Sequence, residues 1–200
     1  MVTFFSPSAR ESQGIETDRT VLEAPQMAHY EDWAHLRDQS RDFLVPWEPT
    51  WPSDDLTRNA FRRRVKRYQR GEHSNGLAFM IVSKQSGALL GGITVSRMLR
   101  GVAQSCAIGY WIGEPYARQG FMSEAVRGLL PEIFDELGFH RVEAACLPKN
   151  TASMGLLEKV GFKREGYARE YLKINGSWQD HVLYAMLESD YKALKKTANP

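Results

Sequence analysis

Residues 108–125 read IGYWIGEPYARQGFMSEA, and the fold hinges on what this stretch becomes. Ile108 to Ile112 is β-favouring and predicts a strand that stops at Gly113. Glu114 to Gly120, with Pro115 and a terminal glycine, predicts a turn. A helix follows, since Ala125, Val126, Leu129, Leu130, Ile133, Phe134 and Leu137 form one apolar stripe at helical spacing. Pro131 falls inside that stripe and predicts a kink or a displaced helix start. Such a corner presents unpaired backbone N–H groups at the positive end of a helix dipole, where phosphate oxygens bind. Gly120 lets a diphosphate approach the backbone, and Arg118 adds a charge-assisted contact. A plain corner capped by Ser123, with Glu124 already answering the dipole, fits the same residues.

Upstream, Thr20 to Leu22 predicts a strand, and Gln26 to Ser40 a helix through Met27, Tyr30, Trp33, Ala34 and Arg37. Residues 43–53, FLVPWEPTWPS, predict a rigid extended loop, after which Asp54 or Asp55 caps a basic helix running to about Arg70. Leu77 to Lys84, Leu89 to Arg97 and Ser105 to Ile112 read as an antiparallel meander turned at Gln85-Ser86-Gly87 and near Gly101. Downstream come a strand from Arg141 to Leu147, a helix from Thr151 to Val160 ended by Gly161, and a strand from Phe162 to Ile174. Asn175-Gly176 then turns a hairpin into Trp178 to Leu187. This order predicts an α+β fold: a mixed, mostly antiparallel sheet flanked by helices. One domain over 17–190 is expected, with a flexible segment at 1–16 and a tail at 191–200.

A chain of 200 residues, 42% apolar and 25% charged, suits one soluble core. No apolar run approaches the roughly 20 residues that span a bilayer, and Met1 to Gly14 does not read as a secretory signal, so a cytoplasmic protein is expected. Cys106 and Cys146 lie in strand-like runs without a CxxC partner and read as buried thiols. His29, His35, His73, His140 and His181 are scattered, so no metal is implied. A net charge of +2 excludes a generally electrostatic nucleic-acid binder. Locally, Arg62, Arg63, Arg64, Lys66, Arg67 and Arg70 form either a solvated helix face or a docking patch for RNA or an acidic partner.

A second stretch, Asn150-Thr151-Ala152-Ser153-Met154-Gly155-Leu156-Leu157-Glu158-Lys159-Val160-Gly161-Phe162, opens with a residue that either caps the helix or faces a ligand. It resembles the N-x-x-(A/S)-x-x-x-(Y/L)-x-x-x-G-F element of the GNAT family of N-acetyltransferases. That family's acetyl-CoA signature, Q/R-x-x-G-x-G/A, falls on Ala117 to Met122. Gly120 and the Arg118 position agree, while Ala117 and Met122 replace the first and last residues. Phe43 to Pro49, Arg100-Gly101, Glu165 to Leu172 and Asn175 to Leu183 further resemble the RimJ/RimL-type ribosomal-protein-alanine N-acetyltransferases, over about residues 17–188.

The resemblance implies the GNAT acyl-CoA N-acyltransferase fold and acetyl-CoA as cofactor. It places CoA binding at Ile112, Gly113, Arg118, Gln119, Gly120, Phe121, Met122, Ser123, Asn150 and Ser153. In the family the asparagine bonds the pantetheine arm, and a strand splays to admit it. Leu157 stands where many members carry an acid tyrosine, and Ser153 matches a serine near the CoA sulfur, able to donate a hydrogen bond to the thiolate. A thiol of pKa about 8.5 leaves with little help, so the loss from Ser153→Ala should be modest.

An α-amine of pKa about 8 is partly neutral at pH 7, so a weak base or a water chain suffices. Glu48, flanked by aromatic residues in the PWEP loop, is the first candidate for base or amine positioning and Glu170 the second; loop packing explains Glu48 as well. Trp47, Tyr110, Trp111 and Tyr171 line an acceptor cleft or pack a core. By resemblance, the acceptor is the N-terminal alanine of a ribosomal small-subunit protein. A small amine (antibiotic, polyamine or aminoacyl nucleotide) is a second reading, and a ribosome-associated CoA-binding protein using the basic helix is a third. An open groove against an enclosed pocket separates the first two.

Overall fold

The computed structural model describes residues 14–69 and 76–198. Among these, eight strands form one sheet: β1 (Ile15–Glu16), β2 (Thr20–Glu23), β3 (Leu77–Ser83), β4 (Leu89–Leu99), β5 (Ser105–Ile112), β6 (Arg141–Cys146), β7 (Lys163–Ile174) and β8 (Ser177–Leu187). Their order is β1-β2-β3-β4-β5-β6-β8-β7. Every neighbouring pair is antiparallel except β5 and β6, whose link runs through a helix and leaves that pair parallel.

The parallel pair is short, and that decides where a ligand can enter. Its register runs Ser105↔Arg141, Cys106↔Val142, Ala107↔Glu143 and goes no further. Beyond it, β5 stays with β4 as far as Gly91↔Ile112, and β6 stays with β8 as far as Cys146↔Val182. The two strands therefore part in the middle of the sheet.

Alternation sends Cys106, Ile108, Val142, Ala144 and Cys146 to one face, where they pack with α4 (Phe121–Pro131) and α5 (Thr151–Val160). The other face carries α1 (Tyr30–Gln39) and α3 (Arg58–Gln69), through Trp33, Leu36, Phe61 and Val65 packed with Met80, Leu89 and Trp111. Short helix α2 (Arg41–Leu44) follows α1, and α6 (Glu188–Ala198) closes the described chain.

Several expectations are corrected. Residues 43–53 are not extended throughout: α2 is followed by a tight helical turn, Val45–Trp47, with Pro46 in the first turn, where a missing N–H costs nothing. Neither Asp54 nor Asp55 caps α3. The Thr57 hydroxyl accepts from the Ala60 N–H at 3.2 Å, and the two aspartates bind Arg63 and Arg64. Pro131 does not displace the helix start: α4 begins at Phe121, Pro131 is its last residue, and one wider π turn, Glu132–Glu136, follows. The expected flexible segment and tail are smaller than drawn. Ile15–Glu16 pairs with Val21–Leu22, and α6 carries Tyr191, buried and stacked on Phe134 at 4.9 Å. Residues 1–13 lie outside the described chain.

Candidate active site

On the α4/α5 face, Gly120 caps α4 in the left-handed region (φ 84°), where glycine carries no Cβ penalty. No side chain caps the first turn, and Ser123, the alternative cap, is buried inside the helix. Glu124 turns away to the N-terminal hairpin: it accepts from Thr17 Oγ1 at 2.6 Å, from the Arg19 N–H at 2.6 Å and from Arg19 Nε at 2.7 Å. Burial pushes its carboxyl up, but those donors outweigh it and hold the group below the usual glutamate range. The first-turn N–H groups thus keep an open approach. A cleft of about 520 Å³ beside them is lined by Arg19, Gln119, Gly120, Ser123, Arg127 and Lys159.

Asn150 Oδ1 accepts from the Ser153 N–H at 3.0 Å, so the asparagine does cap α5, and its amide N–H groups are left to donate elsewhere. The Tyr110 hydroxyl meets Ser153 Oγ at 2.8 Å. Tyr110 was expected in the acceptor cleft; strand alternation instead puts it beneath α5, among the residues packed on the main core. Burial raises both the Tyr110 phenol and the Cys146 thiol, and the neighbouring Ser153 hydroxyl opposes each rise. Leu157 is fully buried and offers no acid.

On the opposite face the splay has an exposed floor, Gly109 on β5 and Ala145 on β6. One wall is aromatic and cationic. Trp111 lies on Gly92, where an added Cβ would sit 2.6 Å from the indole Nε1. The Arg37 guanidinium stands over Trp51 at 4.3 Å and Trp111 at 4.9 Å. It is buried, and both its terminal nitrogens bond the Glu48 carboxylate, which also accepts from Trp51 Nε1 at 2.7 Å. Glu48, first choice as base, is therefore committed to a buried ion pair with its oxygens occupied. Trp47 is half-buried in the turn beside it.

The other wall is the β7–β8 hairpin, tied across by the Asn175 N–H donating to the Glu48 carbonyl at 2.9 Å. β7 bulges between Ala168 and Leu172, with Glu170 at φ 45° and its N–H held by Asp180 at 2.8 Å. The Glu170 carboxylate is exposed and has no partner among the described residues. Tyr171 packs edge-on to His181 at 5.7 Å and accepts from Arg97 at 2.6 Å. Arg97 lies in a matching irregularity of β4, also left-handed at φ 50°.

Phe121 lies under Arg19, Met122 is buried, Ile112 packs on the core, and Gly113 is packed by Leu36, so these four shape the corner. Arg118 and Gln119 are exposed on its outer edge. Sequence reading missed Arg37, Trp51 and Arg97; a cation on the apolar stripe of α1 was the one available signal. The basic helix is neutralised only in part: Arg58 pairs with Glu31, Arg63 with Asp54 and Arg64 with Asp55, while Arg62 bonds the uncharged Asn59. Lys66 and Arg67 are exposed without a partner among the described residues, and Arg70 lies outside them. No cluster of metal-binding side chains occurs among the described residues.

The Acetyltransferase (GNAT) domain family matches residues 19–163. A Bacillus subtilis (strain 168) relative named "Probable N-acetyltransferase YjcK" is 37% identical over 156 residues, 78% of this chain and 86% of the relative. The [ribosomal protein uS5]-alanine N-acetyltransferase of Escherichia coli (strain K12) is 32% identical over 182 residues, 88% of this chain and 92% of that protein. Among solved structures, the ribosomal-protein-S5-alanine acetyltransferase from Vibrio fischeri superposes with a TM-score of 0.80 at 27% identity, covering 88% and 97% of the two chains.

Proposed function

The chain belongs to the GNAT family and is an acetyl-CoA-dependent N-acetyltransferase, and from that premise we propose that it acetylates the N-terminal α-amine of a protein, a ribosomal small-subunit protein beginning with alanine. The observation that carries this reading is the pair of exposed small residues, Gly109 and Ala145, beside the parted strands, which leaves room for the end of an extended peptide. The half-open cavity on that face, lined by Trp33, Arg37, Phe61 and Trp111, is only about 170 Å³. Ligand pockets hold about 300–1,000 Å³, so it suits a side chain better than an aminoglycoside.

In this reading the CoA phosphates sit at the α4 N-terminus and along the neighbouring cleft, near Arg118, Gly120, Arg127 and Lys159. The pantetheine arm passes between β5 and β6 and takes hydrogen bonds from the Asn150 amide. The amine attacks the thioester carbon from the Gly109/Ala145 side. The N–H proton goes to Glu170, directly or through water, the electron pair of the C–S bond goes to sulfur, and Ser153 hydrogen-bonds the thiolate. Glu48 acts indirectly, fixing Arg37 and the two indoles of the aromatic wall. Trp47, Trp111 and Tyr171 flank the acceptor.

The test is CoA release with acetyl-CoA against peptides beginning with Ala, Ser or Thr, alongside spermidine and aminoglycosides. Selective turnover of Ala-initiated peptides is expected, and turnover of small amines alone would overturn the peptide reading. A ribosome contact would run through Lys66 and Arg67. Reversing both charges should weaken ribosome association, and unchanged association would remove that contact.

A further inference from the structure

We infer that Tyr110 is a positioning residue for the leaving group: its hydroxyl, acting through Ser153, aims a hydrogen bond at the sulfur of the departing CoA. This rests on the proposed placement of Ser153 beside that sulfur.

The acid-tyrosine position of α5 is filled by Leu157, fully buried in the core. A tyrosine hydroxyl nevertheless reaches α5 one turn earlier, from β5, with 2.8 Å between Tyr110 Oη and Ser153 Oγ. Geometry alone allows either oxygen to donate, but the surroundings select a direction. Burial keeps the Tyr110 phenol neutral and in possession of its proton. A phenol is also the stronger donor of the two hydroxyls. Tyr110 therefore gives to Ser153, which leaves the one Ser153 hydrogen to be given to the CoA sulfur. The Asn150 cap on the Ser153 N–H fixes the backbone beneath.

This chain donates hydrogen bonds and transfers no proton. When the tetrahedral intermediate collapses, the C–S bond breaks and its electron pair goes to sulfur, which leaves as a thiolate. A CoA thiol near pKa 8.5 is a stronger acid than a phenol raised above about 10, so moving the Tyr110 proton to sulfur would be uphill. Tyr110 polarises the Ser153 O–H and holds its hydrogen toward the forming charge, an effect that strengthens along a chain of hydrogen bonds in a water-poor site.

The test compares Tyr110→Phe, Ser153→Ala and the double variant on acetyl-CoA and on its selenoester analogue, whose selenolate needs little stabilisation. With acetyl-CoA each single change should lower kcat about ten-fold, the double variant no further, and KM for the donor should hold. With the selenoester the losses should largely disappear. Losses that multiply in the double variant, or an undiminished Tyr110→Phe loss on the selenoester, would overturn the inference. Any amine the wild-type enzyme accepts will serve, so a wrong acceptor assignment shows in the wild type and not in these ratios. Should Tyr110→Phe fail to fold, a fluorinated tyrosine at this position keeps the shape and strengthens the donor. Faster release from acetyl-CoA but not from the selenoester is then expected, and no change would overturn the inference.

Discussion

At the level of single residues, the two candidate carboxylates separate by what surrounds them. Glu48 compensates a buried guanidinium, and removing one charge of such a pair leaves the other stranded. Glu48→Gln should therefore cost about 2 kcal/mol or more of stability, read as a lowered melting midpoint, and should depress activity alike across pH. Glu170 holds no such partner and sits in a strained bulge, where backbone strain marks function more often than packing. Glu170→Gln should leave stability and acetyl-CoA affinity nearly untouched while lowering kcat/KM about 100-fold and flattening its acid limb. A pH–rate profile of both variants separates the roles, and the reverse pattern would restore Glu48 as the base. Sequence pattern could propose both glutamates but could not rank them, because Arg37 lies eleven residues before Glu48 and only folding makes them partners.

At the level of elements, the short β1–β2 hairpin is fastened to α4 by one carboxylate. Glu124 collects the Thr17 hydroxyl and two donors of Arg19, which keeps the hairpin against the helix that opens the cofactor corner. Its folded-state pKa lies below the unfolded one, so its stabilisation is present in full above about pH 4.3 and is lost as pH falls through the lowered value. Hydrogen exchange of the Thr20–Glu23 amides should accelerate over that acid range. In Glu124→Gln they should already be fast at neutral pH, at a cost of about 1 kcal/mol, discounted because Arg19 is half exposed. The α5 helix was legible from its residues alone, Asn150 at one end and Gly161 (φ 111°) at the other, since caps are local chemistry. The turns of residues 41–47 were not, because their prolines fit a first helical turn as well as an extended loop.

Across the whole molecule, the C-terminal helix belongs to the fold. Tyr191 is 4% exposed, stacks on Phe134 and donates to Asp135 at 2.6 Å. Tyr191→Ala should destabilise the protein by about 3 kcal/mol in denaturant unfolding, whereas a dispensable tail would show no change. The sequence alone determined β2 to β8, the helices α1, α3, α4 and α5, the glycine corner before α4 and the family, because alternation, caps and turn residues are written within about ten neighbouring positions. Tertiary structure alone decided which face each aromatic serves, that Tyr110 meets Ser153, that Glu48 is locked to Arg37, and that β5 and β6 part after Ala107 and Glu143. Those outcomes depend on contacts between residues far apart in the chain. Whether a given side chain meets water, a partner or a gap between two strands is set only when the sheet is assembled.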